Sequence, residues 1–140
     1  MFCGPRPVRL SSVFALLFLL LAAACGGGTA GPENVFIADE ADSGQTVTMG
    51  VGDALQIMLA ENQTIGYLWR VVTNDEAVLE SSEEPSYEVD SDAIGAGGVK
   101  TFMFRAAAPG TSVLRLVNAR DQDTAVEPSR VFEITVQVVE

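Results

Sequence analysis

The sequence predicts an all-β chain: an immunoglobulin-like β-sandwich of seven to eight strands, preceded by an N-terminal signal peptide and a short tether. Three observations predict it. Short apolar runs, several alternating with period two, recur after residue 34, with Gly, Pro, Asn, Asp or Ser between them. No stretch there sustains a 3.6-residue apolar repeat over ten positions. The runs fill residues 35–140, a length that suits one two-sheet sandwich.

The amino end does not read as domain material. In residues 1–24, Arg6 and Arg9 form a positive start, Val13 to Leu21 an apolar core, and Ala22-Ala23-Ala24 the small residues that precede a signal-peptidase cut. The apolar run falls short of the roughly 20 residues that a membrane span needs. Cys25 follows, then Gly26-Gly27-Gly28. This junction resembles a bacterial lipobox, with Ala22 where leucine is usual. The resemblance implies a lipoprotein signal peptide and lipidation of Cys25, whose acyl chains would hold the protein at the cell envelope, periplasmic or on the surface. Ordinary cleavage after Ala24, leaving a free thiol, is the other reading. Residues 25–34 are expected to form a flexible Gly-rich tether, and residues 35–140 the domain.

The strands follow in order. Val35-Phe36-Ile37 is a short apolar run, and Thr46-Val47-Thr48-Met49 alternates. Leu55, Ile57 and Leu59 alternate with Gln56 and Met58, and Leu68 to Val72 continues the β signal. Val78-Leu79 fits either a short strand or part of one helical turn between Asp75 and Ser82. Phe102 and Phe104 share a face, and Val113 to Val117 is β-branched and apolar. The last strand is clearest: Phe132, Ile134, Val136 and Val138 lie on one side. Ser43-Gly44, Gly50 to Asp53, Glu84-Pro85, Pro109-Gly110 and Glu127-Pro128 supply turns. Trp69, Phe102, Phe104 and Phe132 supply core volume in place of an inter-sheet disulfide.

Composition excludes several functions. Beyond Cys25 the chain has six Lys and Arg against 19 Asp and Glu, a balance of −13. Nothing there would neutralise phosphates, so nucleic acid is not an expected partner. The chain has no histidine, which removes the commonest general base, the usual triads and most zinc sites. After signal cleavage a single cysteine remains, so no internal disulfide can form. No enzyme activity, cofactor or metal is expected. Asp121, Asp123 and Glu127 carry oxygens that can bind Ca²⁺, but their spacing is not an EF-hand loop, and a solvated acidic loop is the simpler reading.

Three loops stand out, because loops on a rigid scaffold are where binding is usually built. The first is Asn62-Gln63-Thr64-Ile65-Gly66-Tyr67-Leu68-Trp69. Asn62 can open a turn, Gly66 permits a positive φ, and Tyr67 and Trp69 would face one side of a strand. The second is Ile94-Gly95-Ala96-Gly97-Gly98, whose backbone is little obstructed and can lie along a groove. The third, Asn118 to Glu127, precedes the last strand and carries Arg120, Asp121 and Gln122. Taken singly, each is as well explained by a hairpin loop, a loose connection or a solvated turn.

Taken together, the three loops resemble those of the chagasin-like inhibitors of cysteine peptidases, inhibitor family I42. Asn62, Thr64, Gly66, Tyr67 and Trp69 match the family's Asn-Pro-Thr-Thr-Gly-aromatic-x-Trp, with Gln63 in place of proline and Ile65 in place of threonine. Gly95-Ala96-Gly97-Gly98 fits its Gly-x-Gly-Gly. Arg120 takes the first place of its Arg-Pro-aromatic motif, where Asp121 and Gln122 replace the proline and the aromatic.

The resemblance implies a monomeric, reversible inhibitor whose protein partner is a papain-type cysteine peptidase. The first loop would enter the active-site cleft while the other two grip its sides. Thr64 and Ile65 would form the inserted tip, with Asn62, Gly66, Tyr67 and Trp69 holding its shape. The missing proline is expected to loosen the loop by under about 1 kcal/mol. The missing third-loop aromatic is expected to cost about 2 kcal/mol of binding, giving weaker or narrower inhibition. A non-inhibitory surface binding or assembly module of the same immunoglobulin-like form is the alternative, favoured by that missing aromatic and by the acidity.

Overall fold

The computed structural model describes residues 31–120 and 128–140. The predicted signal peptide, Cys25, Asp121 and Gln122 lie outside the described residues. Nine strands appear among those described: β1 Val35–Ala38, β2 Thr46–Gly50, β3 Ala54–Glu61, β4 Leu68–Thr73, β5 Leu79–Ser81, β6 Ser86–Val89, β7 Gly98–Ala106, β8 Gly110–Ala119 and β9 Arg130–Val139. Two 3₁₀ turns, Glu40–Asp42 and Gln63–Ile65, complete the described regular structure.

The strands form two sheets. One runs β1-β3-β7, with β5 and β6 lying end to end along the free side of β7; the other runs β2-β9-β8-β4. β5 pairs with residues 104–106 of β7, and β6 with residues 98–101. They act as one edge interrupted near Pro85, which has no N–H to give a ladder. That interruption takes the strand count past the expected seven to eight. Val78-Leu79 resolves as a turn running into β5 rather than a helical turn.

Both sheets are mixed, because β1 runs parallel to β3 and β2 runs parallel to β9. The chain therefore crosses from one sheet to the other between β1 and β2. Asp39 caps the 3₁₀ turn at that crossing, accepting the Ala41 N–H at 2.8 Å.

The core lies between the sheets. Leu55, Ile57, Leu59, Phe102 and Phe104 come from one sheet, and Met49, Trp69, Leu114, Leu116, Phe132, Ile134 and Val136 from the other. Burial alternates along β3, β7, β8 and β9, as the pleat requires, with Lys100, Gly110 and Arg130 the exceptions on the inward parity. The four aromatics expected to fill this space are all buried.

At one pole, Gly50 to Asp53 turns β2 into β3. The buried Asp53 carboxylate accepts the Gly50 N–H at 2.9 Å and both the backbone and side-chain N–H groups of Asn34. The Gly50 donor, aided by Asn34, holds this carboxyl below its ordinary value in spite of burial. The fold's hydrogen bonding therefore reaches back to Asn34.

Candidate functional site

The opposite pole is built by register. β3 and β7 pair antiparallel with Glu61 opposite Gly98, so the loop leaving β3 and the loop entering β7 emerge side by side. β4 and β8 pair with Leu68 opposite Ala119, and β8 and β9 pair with Asn118 opposite Arg130. Arg120 therefore emerges beside the end of the first loop. All three prongs start from one pole.

The first loop is closed by a bridge between Asn62 and Tyr67. Inside it, Gln63–Ile65 makes a single 3₁₀ turn. The Asn62 side-chain oxygen accepts the Thr64 backbone N–H at 3.1 Å and the Thr64 hydroxyl at 2.6 Å. This is the Asx-type turn that an asparagine at this place favours. Gly66 ends the turn at φ +81°, a left-handed conformation that suits glycine, and its N–H returns to the Gln63 carbonyl. Thr64 is exposed, and so is over half of Ile65. The tip is thus outside while its hydrogen bonds close beneath it.

Trp69 holds the loop from below. It is buried, its indole N–H donates to the Ala60 carbonyl at 2.9 Å, and its backbone N–H donates to the Glu61 carboxylate at 2.6 Å. The Arg130 guanidinium lies over the indole at 5.1 Å, also donates to Ala60 O at 2.6 Å, and pairs with Glu40. Gln63, which stands where proline is usual, donates its side-chain amide to the other Glu61 oxygen at 3.0 Å. A side-chain tie here opposes the loosening expected from the missing proline.

The neighbouring prongs are tied to this loop. The Asn62 side-chain amide donates to the Gly95 carbonyl at 3.2 Å, a direct bond from the first loop to the second. Arg120 lies against Gly66 and over the Tyr67 ring, 5.7 Å from its centre.

The second loop is less free than its glycines suggest. Ile94 is fully exposed and Gly95 is exposed, but Ala96 and Gly97 are half-buried and Gly98 is buried in β7. The Gly97 carbonyl accepts the Asp90 N–H at 2.9 Å. A Cβ on Gly98 would stand 2.1 Å from the Glu88 carbonyl and 2.8 Å from the Tyr87 ring, while the Tyr87 hydroxyl donates to Glu61 O at 3.3 Å. Gly98 is there to let a neighbouring strand approach. The exposed part of this prong is Ile94 and Gly95.

The sequence profile of the chagasin family of peptidase inhibitors, I42, matches residues 48–136. The chain belongs to the chagasin family. It is a peptidase inhibitor and not an enzyme. Chagasin of Trypanosoma cruzi is 32% identical over 88 residues, covering 58% of this chain and 77% of that protein. The fold is that of other inhibitors. The Entamoeba histolytica cysteine protease inhibitor EhICP2 superposes with a TM-score of 0.69 at 19% identity, over 78% of this chain and all of that one. PbICP-C, solved in complex with falcipain-2, gives 0.52 at 18% identity, over 81% and 95%.

The chagasin-family motifs led to Asn62, Gly66, Tyr67 and Trp69 but not to Glu61, Arg130, Tyr87 or Asn118. Glu61 and Asn118 continue the buried parity of Leu55-Ile57-Leu59 and Leu114-Leu116, a signal readable in the alternation. Arg130 and Tyr87 reach this pole only through strand pairing, which local sequence does not display.

Proposed function

We propose that this inhibitor lodges the Thr64-Ile65 tip in the active-site cleft of a papain-type cysteine peptidase, with the Ile94-Gly95 prong and the Arg120 prong on either side. It acts reversibly and as a monomer. Its place is a bacterial cell envelope, where lipid on Cys25 anchors it through the tether. The observation that carries this reading is the exposed tip on a loop fixed from within by Asn62, Gly66, Glu61 and Trp69. A wedge shaped before docking avoids the ordering cost at contact. The exposed apolar side chains Ile65 and Ile94 stand on loops joined by the Asn62–Gly95 bond. An interface across three such prongs would be of standard size, about 1,600 Å² in total. The fold is shared with PbICP-C, solved in complex with falcipain-2, which supports a peptidase as partner.

The deciding experiment titrates residues 25–140, with Cys25→Ser, against papain. Dose-dependent, reversible loss of peptide hydrolysis at or below micromolar inhibitor is expected. Undiminished hydrolysis there overturns the reading and leaves a non-inhibitory surface module. Radiolabelled fatty acid entering the parent but not a Cys25→Ala chain would support the anchor.

A further inference from the structure

We propose that Arg130 is a positioning residue for inhibition: it acts through Trp69 and Ala60 to hold the first loop in its docking shape, and Glu40 holds Arg130 in place. This rests on the inhibitory reading above.

β1 ends opposite Ile57, while β3 runs on to Glu61. No described strand flanks β3 on that side at Ala60. The Ala60 carbonyl takes two side-chain donors instead: the Trp69 indole N–H at 2.9 Å and the Arg130 guanidinium at 2.6 Å. A carbonyl oxygen has two lone pairs, so both bonds stand together. The guanidinium also covers the Trp69 ring, 5.1 Å from its centre. Arg130 thus bears on both legs of the loop, the β3 strand that leads into it and the β4 strand that leads out.

Arg130 is itself placed from two directions. It opens β9 opposite Asn118, and the N–H of the preceding Ser129 donates to the Asn118 carbonyl at 2.8 Å, which sets the backbone. Glu40, on the 3₁₀ turn between β1 and β2, takes the guanidinium nitrogen that Ala60 does not. About two-fifths of each side chain is exposed, and so open an ion pair adds little stability by itself. Its value is geometric. A guanidinium is a planar fork, and with one nitrogen on Glu40 and another on Ala60 its plane is kept over the ring. The crossing between the sheets therefore braces the loop through Arg130.

The test uses the exported protein with Cys25→Ser. Trp69 is its only tryptophan, so indole readouts report the support of the loop with no peptidase present. In Arg130→Met, acrylamide should quench Trp69 about twofold more strongly, and the indole N–H should exchange with water about fivefold faster, as local opening requires. Papain inhibition should weaken about fivefold, the worth of one partly exposed cation–π contact. The loss should lie in the association rate, because only the correctly shaped fraction docks. Arg130→Lys keeps the charge without the fork, so it should recover the indole signals and inhibition to the same partial extent. Glu40→Gln should weaken inhibition about threefold in the parent and not at all in Arg130→Met, since it acts only through Arg130. Arg130 also lines a groove with Asn62 and Ile65, so direct contact with the peptidase is the rival account. Faster dissociation with unchanged indole signals in the free protein would show that contact and overturn the proposal. Folded Arg130→Met that inhibits as well as the parent overturns it too, as does a Glu40 effect that survives in Arg130→Met. Should Arg130→Met not fold, Arg130→Lys and Glu40→Gln carry the same readouts. The parent is titrated against papain first, so its failure there strikes the inhibitory reading itself, while the indole readouts still test the brace.

Discussion

The Trp69 backbone N–H donates to the buried carboxylate of Glu61 at 2.6 Å, joining the strand before the first loop to the strand after it. The same carboxylate accepts Gln63 at 3.0 Å. Glu61→Ala removes both bonds and orphans a buried amide, at an expected cost of about 1–3 kcal/mol in urea unfolding. Glu61→Gln keeps one acceptor and should cost less. Papain inhibition should fall with Glu61→Ala as the loop loosens. Unchanged stability in that variant would remove this carboxylate as the loop's support.

Thr64 and Ile65 show the opposite profile. Both are exposed, so Thr64→Ser with Ile65→Ala, which keeps the hydroxyl that donates to Asn62, should leave the thermal midpoint within a few degrees. Inhibition should drop at least tenfold, as expected when a central contact is truncated. A doubly substituted chain that inhibits as well as the parent would show that the tip does not enter the cleft.

Gly98 and Gly95 separate packing from conformation. Gly98→Ala drives a methyl group into the Glu88 carbonyl and the Tyr87 ring, and should destabilise by about 3 kcal/mol, toward the upper end of overpacking. Gly95→Ala meets nothing but sits at φ +80°, and should cost about 1–2 kcal/mol. Calorimetry of the two variants checks the order.

Asp53 sets a dependence on pH. Its carboxyl is held below the unfolded value of 3.8, chiefly by the Gly50 N–H. The charged form is therefore favoured by folding. That stability is present above pH 3.8 and is lost as pH falls through the lower folded value. Asp53→Asn should be less stable than the parent at pH 7, and the gap should close in acid below pH 3.8. A gap that stays constant across a pH series of melts would contradict this.

The third prong lacks its aromatic. Gln122→Trp should tighten papain inhibition by about 2 kcal/mol, roughly thirtyfold. A gain below twofold would mean that this position does not reach the peptidase.

Much of the fold was legible because alternation is a local property. The inward placing of Leu55, Ile57, Phe104, Phe132 and Val136 needed only the period of a strand. The same parity put Glu61 and Asn118 inside, yet their polar chemistry concealed them, since polar residues usually mark solvent. Gly98 was misleading for another reason. Its glycine answers to Tyr87 crossing from the adjacent strand, which no spacing along the chain reveals. The split of one edge into β5 and β6 likewise depends on both sharing β7.

The parallel pairing of β1 with β3 fixes an orientation. Val35 stands opposite Ala54, where β3 begins, while the prongs rise from where β3 ends. The tether proposed ahead of residue 31 would thus join the body at the far pole. Whatever surface the amino end is held to, the prongs aim away from it, and a peptidase pulled from them loads the β1–β3 ladder in shear, along the strands.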